Sequence, residues 1–236
     1  MSGSIQSISE NFKGRFITDP ASIAAKAATI KAYVFDWDGV FNNGFKNDNG
    51  SSPYSETSSM GTNLLRFSHF LRKFELPIFA IITGEKNESA FALSKREKYH
   101  AVYYKIKHKA DAVRHLCEEH KIEPHEVAFV FDDVLDLSVA KIAGLRFMVP
   151  HEATTMLADF AIRNGWVDYL THCSGDDHAV REVSELLISC SGQYDEVIKN
   201  RMEFSEQYRG YLSMRNEIET AFYSVSKKNN IQSVTV

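Results

Sequence analysis

Two stretches place acids where apolar, strand-like runs should hand over to turns. AYVF runs into Asp36-Trp37-Asp38-Gly39, and VAFVF runs into Asp132-Asp133-Val134-Leu135-Asp136. Carboxylates brought close together repel unless a cation or a chemical task holds them. A set of hard oxygen ligands with no His or Cys among them suits Mg²⁺, which prefers carboxylates, waters and phosphate oxygens. Taken singly, either stretch reads as an Asp-rich turn. Together, with a third stretch between them, they read as a site. That third stretch is IFAIITGEK, where Thr83-Gly84 puts a hydroxyl and free backbone N–H groups at a helix start. Such an end can hold a phosphate, or the Thr can simply cap the helix. Lys109, in KIKHKADAV, is a fourth candidate, although Lys105 and Lys107 compete with it on spacing alone.

The elements that must position these residues follow from the apolar pattern. AYVFD, IFAIIT (78–83), AVYY (101–104), VAFVF (127–131) and LRFMV (145–149) are nearly continuous apolar runs. Runs of that kind mark strands buried on both faces of a parallel sheet. Between them, TNLLRFSHFLRKF and KADAVRHLCEEHK repeat apolar residues three and four apart, as amphipathic helices do. The alternation predicts a doubly wound α/β sheet between helical layers, with ligands bound beyond the carboxyl ends of the strands. Asn49-Gly50, within FKNDNGSSPYSET, predicts a small β-hairpin over 45–57, standing above the end of the first strand. From Gln193 onward the chain reads as a long polar helix or helix pair, with the last ten residues expected to fray.

Composition narrows the function classes. The 236 residues carry 27 Lys+Arg against 31 Asp+Glu, a net charge of −4, which gives neither a nucleic-acid footprint nor a polybasic membrane patch. The hydrophobic fraction of 44% can fill a real core. Cys117, Cys173 and Cys190 show no C-x-x-C pairing, so neither a zinc knuckle nor a disulfide framework is indicated. The nine histidines are scattered without metal-ligand spacing and read as surface or supporting residues, His108 and His178 included. Trp37 reads as packing. No apolar leader or membrane-length window is present, which sets the expectation of a cytoplasmic protein without a membrane partner.

Asp, Thr, Lys and a final acid pair, in that order at successive strand ends, resemble the haloacid dehalogenase-like hydrolases. The resemblance covers residues 28–190, with 1–27 as an N-terminal extension and 191–236 as a helical tail. DWDGVFNNG, a short flap in place of a large cap domain, and DYLTHCSGDDHAVREVSELLI narrow it to the capless sugar-acid phosphatases. That group acts on 3-deoxy-manno-octulosonate 8-phosphate and on the nine-carbon 2-keto-3-deoxy-nononate 9-phosphate. The resemblance implies Asp36 as nucleophile and Asp38 as general acid and base. It implies Mg²⁺ held by Asp36, Asp38 and Asp132, with Asp136 supporting the ligands from behind. Thr83, Gly84 and Lys109 would bind the phosphoryl group. It also implies a homotetramer, in which flaps from four subunits form a central barrel and a neighbour's C-terminal segment helps close each site.

Three departures bear on substrate fit: Phe131 where the group has Gly, Asp176-Asp177-His178 in a glycine-rich stretch, and Ser58-Ser59-Met60-Gly61 in place of Asp-Gly-x-Gly. Glu85, in TGEK, stands where the octulosonate enzymes carry Arg. With Arg96 eleven positions on, it implies a nine-carbon preference. Two other readings stay open: a phosphatase of another small phosphorylated metabolite, and a non-catalytic oligomerisation module that has kept the fold.

Overall fold

The computed structural model describes residues 5–226 and 230–236. Helix α1 (Ile5–Asn11), strand β1 (Arg15–Phe16) and helix α2 (Pro20–Thr29) lead into the central strand β2 (Ala32–Phe35). Next come α3 (Glu56–Lys73), β3 (Ile78–Ile82), α4 (Glu88–Glu97), β4 (Ala101–Tyr104), α5 (Lys109–His120) and β5 (Val127–Phe131). The chain continues through α6 (Leu137–Ala140), β6 (Leu145–Met148), α7 (Thr155–Arg163), β7 (Tyr169–Leu170) and α8 (Ala179–Cys190). It ends with α9 (Tyr194–Met202), α10 (Glu206–Asn216), β8 (Ala221–Val225) and β9 (Ile231–Ser233). All five strands read from the sequence are present.

The sheet runs in the order β1-β7-β6-β5-β2-β3-β4-β8-β9. Only the outermost pairs, β1 with β7 and β8 with β9, are antiparallel. β2 lies between β3 and β5, in register Val34↔Ala80 and Val34↔Phe129. The chain therefore lays strands outward on one side of β2 and then crosses to the other. That reversal leaves a crevice at the carboxyl ends of β2 and β5. Side chains alternate to two cores. Tyr33, Phe35, Phe79 and Ile81 meet α3 and α8 on one face. Val34, Ala80, Ile82 and Phe129 meet α5 on the other. Three layers result, as the pattern predicts. No helix among the described residues is long and apolar enough to cross a membrane.

The flap expected over 45–57 holds no strand. Asn47 makes a local turn, donating its N–H to Ser51 O at 2.8 Å and accepting the Ser51 N–H on its side chain at 2.9 Å. The residues that would form the second strand are drawn away. Ser52 Oγ accepts from Trp37 Nε1 at 3.1 Å and from Asn87 Nδ2 at 2.8 Å, Ser51 Oγ accepts from Glu88 N at 3.0 Å, and Pro53 has no N–H to give a ladder. A single turn clamped onto the domain replaces the hairpin.

The tail is helical only as far as α10. AFYSV then returns to the sheet as β8, parallel to β4 with Val102↔Phe222, and β9 pairs with it. Residues 231–233 are thus a strand rather than a frayed end, while Lys227–Asn229 lie outside the described residues, as do residues 1–4 of the N-terminal extension. The rest of that extension is bound to the sheet. Asp168, fully buried, accepts Thr18 Oγ1 at 2.7 Å, Lys26 Nζ at 2.6 Å and Arg146 Nε at 2.7 Å.

Candidate active site

Asp36 ends β2 and donates its N–H to Val130 O at 2.9 Å, so the backbone pairing of β2 with β5 sets its position. Asp132 ends β5, one strand away. Gly39, at φ +85, turns the chain after Asp38. Trp37 packs inward as expected, stacked on Phe41 at 4.8 Å. Asp136 is fully buried at the following 3₁₀ turn, its Oδ2 accepting the Asp133 N–H at 3.2 Å. Single carboxylate oxygens of Asp36, Asp132 and Asp136 lie within 4.8 Å of one another.

Lys109 is the first residue of α5 and is buried, which separates it from Lys105 and Lys107. Its Nζ stands 2.7 Å from Asp36 Oδ1 and 2.6 Å from Asp136 Oδ1. Burial alone would lower this ammonium, but the two carboxylates outweigh it and hold the group above its usual range. One lysine does not neutralise three acids. Burial, with Asp36 nearby, pushes Asp132 up to about 7, against the opposing hydrogen bond from His151. Burial and Asp36 likewise hold Asp136 well above the carboxylate range, with Lys109 offsetting part of the effect.

Asp36, Asp38, Gly84, Glu85, Lys109, Asp132 and Asp136 all line one open cavity of about 700 Å³. A larger cavity, about 1080 Å³, lies beside α8 and α9 and contains none of these acids. The carboxylate cluster lies in the smaller one. Asp38 is half-exposed there and is held by Lys46 and Ser52. Two expected residues stand elsewhere. Thr83 is fully buried and outside the cavity lining, its hydroxyl 3.4 Å from the Glu85 N–H, as a capping residue would be. Arg96, on the last turn of α4, faces away from the cavity. It pairs with Glu56 at 2.6 Å and Ser59 at 2.7 Å and covers the Tyr54 ring at 5.3 Å.

The three departures also acquire places. Phe131 points into the core and stacks on Phe129 at 5.5 Å, so it does not fill the cavity. Asp176 accepts from Asn43 Nδ2 at 2.6 Å and braces a loop of the cavity wall. Ser58 to Gly61 form the first turns of α3, where a Cβ on Gly61 would come within 3.0 Å of Arg181 Cδ.

His151 is a cavity residue that the sequence did not mark out. His151 Nε2 stands 2.8 Å from Asp132 Oδ2, and that hydrogen bond raises the imidazole against the opposing effect of burial. Its spacing is that of no metal motif. It follows β6, however, the strand next to β5, and so emerges at the same end of the sheet as Asp132.

No family model matches the chain. The 3-deoxy-D-manno-octulosonate 8-phosphate phosphatase KdsC of Salmonella typhi is 30% identical over 178 residues, covering 74% of this chain and 87% of that protein. The chain belongs to the KdsC family of haloacid dehalogenase-like phosphatases. The Escherichia coli K12 KdsC matches equally well, 30% over 180 residues, covering 75% of this chain and 88% of that protein. A crystal structure of the 3-deoxy-D-manno-octulosonate 8-phosphate phosphatase of Moraxella catarrhalis, in complex with magnesium ion, phosphate ion and KDO, superimposes with a TM-score of 0.63 at 27% identity. It covers 76% of this chain and 97% of that one. A Legionella pneumophila hydrolase of the superfamily shares the fold, with a TM-score of 0.64 at 23% identity. Members of the KdsC family are phosphoric monoester hydrolases, and this chain shares their fold and has a buried acid cluster.

Proposed function

We propose that this KdsC-family protein is a Mg²⁺-dependent phosphatase of a phosphorylated 2-keto-3-deoxy sugar acid. The observation that carries the reading is the pairing of a buried Asp36 with Lys109 at the mouth-facing end of β2, beside an acid with an unused oxygen. Asp132 Oδ1 is buried with no partner, as a ligand oxygen awaiting a cation would be. The donor set is all carboxylate, which fits Mg²⁺; Asp36 and Asp132 would hold it, with the backbone of Asp38. When bound, the ion screens the phosphate so that an anionic nucleophile can approach it.

Asp36 attacks phosphorus through the carboxylate oxygen that does not hold the ion, forming an aspartyl-phosphate as the alkoxide leaves. Asp38, in the solvent-accessible part of the cavity, gives that alkoxide a proton and then takes one from the attacking water. Lys109 holds Asp36 in place and balances the charge that collects on the phosphoryl oxygens. Asp136 keeps Lys109 aimed. Gly84 offers its backbone at the start of the β3 loop, and Thr83 supports that loop from behind. Turnover of p-nitrophenyl phosphate with Mg²⁺, lost in Asp36→Asn, tests the reading; wild-type protein with no turnover on any phosphate ester points instead to the non-catalytic module.

Glu85, exposed on the cavity wall, carries over from the resemblance a preference for the nine-carbon acid over the eight-carbon one, and its carboxylate can accept from substrate hydroxyls. Arg96 adds nothing to that preference. Comparing kcat/KM on the two phosphates, in wild type and Glu85→Arg, decides the chain length. The homotetramer is likewise part of the proposal. It is supported by the open cavity and by Phe45, Val134 and Leu135, which stand 76%, 58% and 55% exposed on neighbouring loops. Sedimentation at micromolar concentration tests it, and a monomer refutes it.

A further inference from the structure

The two oxygens of Asp132 are treated differently by their surroundings. Oδ2 lies 2.8 Å from His151 Nε2, whereas Oδ1 is buried and unpartnered. Asp132 must be ionised to hold a cation, and an ionised carboxylate only accepts, so in that state Nε2 carries the shared hydrogen. The pair fits a notch in the backbone after β2. A Cβ on Gly39 would come within 2.0 Å of Asp132 Oδ2 and 3.1 Å of His151 Nε2. The left-handed turn after Asp38 and the His–Asp pair are therefore built around each other. His151 is itself fixed from behind, since its carbonyl accepts the Thr154 N–H at 3.0 Å and opens the turn 152–154.

We propose that His151 is a positioning residue for the divalent cation: by donating to Oδ2 it locks the rotation of the Asp132 carboxylate and turns Oδ1 toward the acid cluster. The inference rests on the reading of that cluster as a Mg²⁺ site. Direct ligation by His151 is the competing arrangement. It would require breaking the 2.8 Å hydrogen bond, since Nε2 is already committed to Asp132, and it would put nitrogen on an ion that prefers oxygen. A hydrogen-bonded imidazole behind a ligand carboxylate tunes affinity without touching the ion.

Calorimetric titration with Mg²⁺ of wild type, His151→Ala and His151→Gln tests this without any turnover measurement. His151→Ala should weaken Mg²⁺ binding by about 10- to 100-fold, the range for lost support behind a ligand. His151→Gln, whose amide N–H can reach the same oxygen, should recover most of that loss. A purely structural role would lower the melting temperature of both metal-free variants and leave affinity unmoved. Unchanged affinity in His151→Ala, or no recovery in His151→Gln, overturns the proposal. So does a loss seen with Ni²⁺ or Zn²⁺ but not Mg²⁺, which would make His151 a ligand. If wild-type protein takes up no Mg²⁺, the metal reading falls and this inference with it; if wild type binds and His151→Ala binds equally, only the inference falls.

Discussion

Replacing Asp132 with Asn should have opposite effects on the metal-free and Mg²⁺-loaded protein. In the metal-free cluster three carboxylate oxygens lie within 4.8 Å of each other, and Lys109 contacts the carboxylates of Asp36 and Asp136. Burial first, and then Asp36 beside it, push Asp132 from its ordinary 3.8 up to about 7, against the opposing hydrogen bond from His151. A carboxyl raised on folding binds its proton more tightly in the native state than in the unfolded chain. Its contribution to stability is complete below about pH 3.8 and is lost as the pH rises through 7. Above that, at about 1.4 kcal/mol per pH unit, the ionised group costs on the order of 4 kcal/mol. Relaxation and water entry leave about half of this, and Asn removes the charge while keeping an oxygen for His151. Metal-free Asp132→Asn should therefore gain about 2 kcal/mol at pH 8, or about 4–8 °C in melting temperature for a chain of this size. Saturating Mg²⁺ reverses the order, because a ligand at a hundred times its Kd adds about 2.7 kcal/mol to a protein that binds it and little to one that does not. Melting curves of both proteins, in chelator and in Mg²⁺, provide the test. A metal-free variant that melts at or below wild type, or equal Mg²⁺ shifts in both, refutes the electrostatic account of the cluster.

Lys109→Met removes the cation between Asp36 and Asp136 and should lower kcat by about 10²–10³; a loss under tenfold would mean that Lys109 is only packing. His100 is neutral in the fold, pushed down to about 3 by burial, and its Nδ1 accepts the Phe79 N–H at 3.1 Å. The unfolded chain takes up a proton there below about pH 6.5, so wild type should lose about 1.4 kcal/mol per pH unit relative to His100→Asn as the pH falls from 6.5. Urea unfolding at stepped pH measures this, and parallel stability curves refute it. Asp168→Ala strands Arg146 and Lys26 and should cost about 3 kcal/mol of unfolding free energy. A loss below about 1 kcal/mol would show that the N-terminal segment is held by packing alone.

The central sheet was legible because its strands are buried on both faces. AYVF and VAFVF have no polar side to disguise them, and the acids that end them mark the direction of the crevice. Lys109 could be chosen over Lys105 and Lys107 only by likeness, since its burial depends on where α5 starts. Arg96 and the flap failed for a common reason. The flap was read from Asn49-Gly50 and Arg96 from the resemblance, yet the partners that decide them, Asn87 for Ser52, Glu88 for Ser51 and Glu56 for the arginine, are distant in the chain. β8 was hidden inside a polar helical run because AFYSV is short, although its alternating burial is strand-like. His151 was invisible for a different reason: a single imidazole has no spacing, and it acquires meaning only when β6 is known to lie beside β5.

The late return of the chain to the sheet has a consequence for biosynthesis. β4 is made long before β8, and until Ala221–Val225 leave the ribosome β4 is a bare parallel edge. Its residues, AVYY, are apolar and aromatic, the kind of edge that recruits other chains. The nascent protein can thus gather its acid cluster early while one flank stays adhesive. Closing that flank requires a contact spanning more than half the chain, which is slow to form. Premature termination between α8 and β8 would leave a complete set of acids on a particle prone to aggregate, so β8 acts less as decoration than as the seal on a newly made chain.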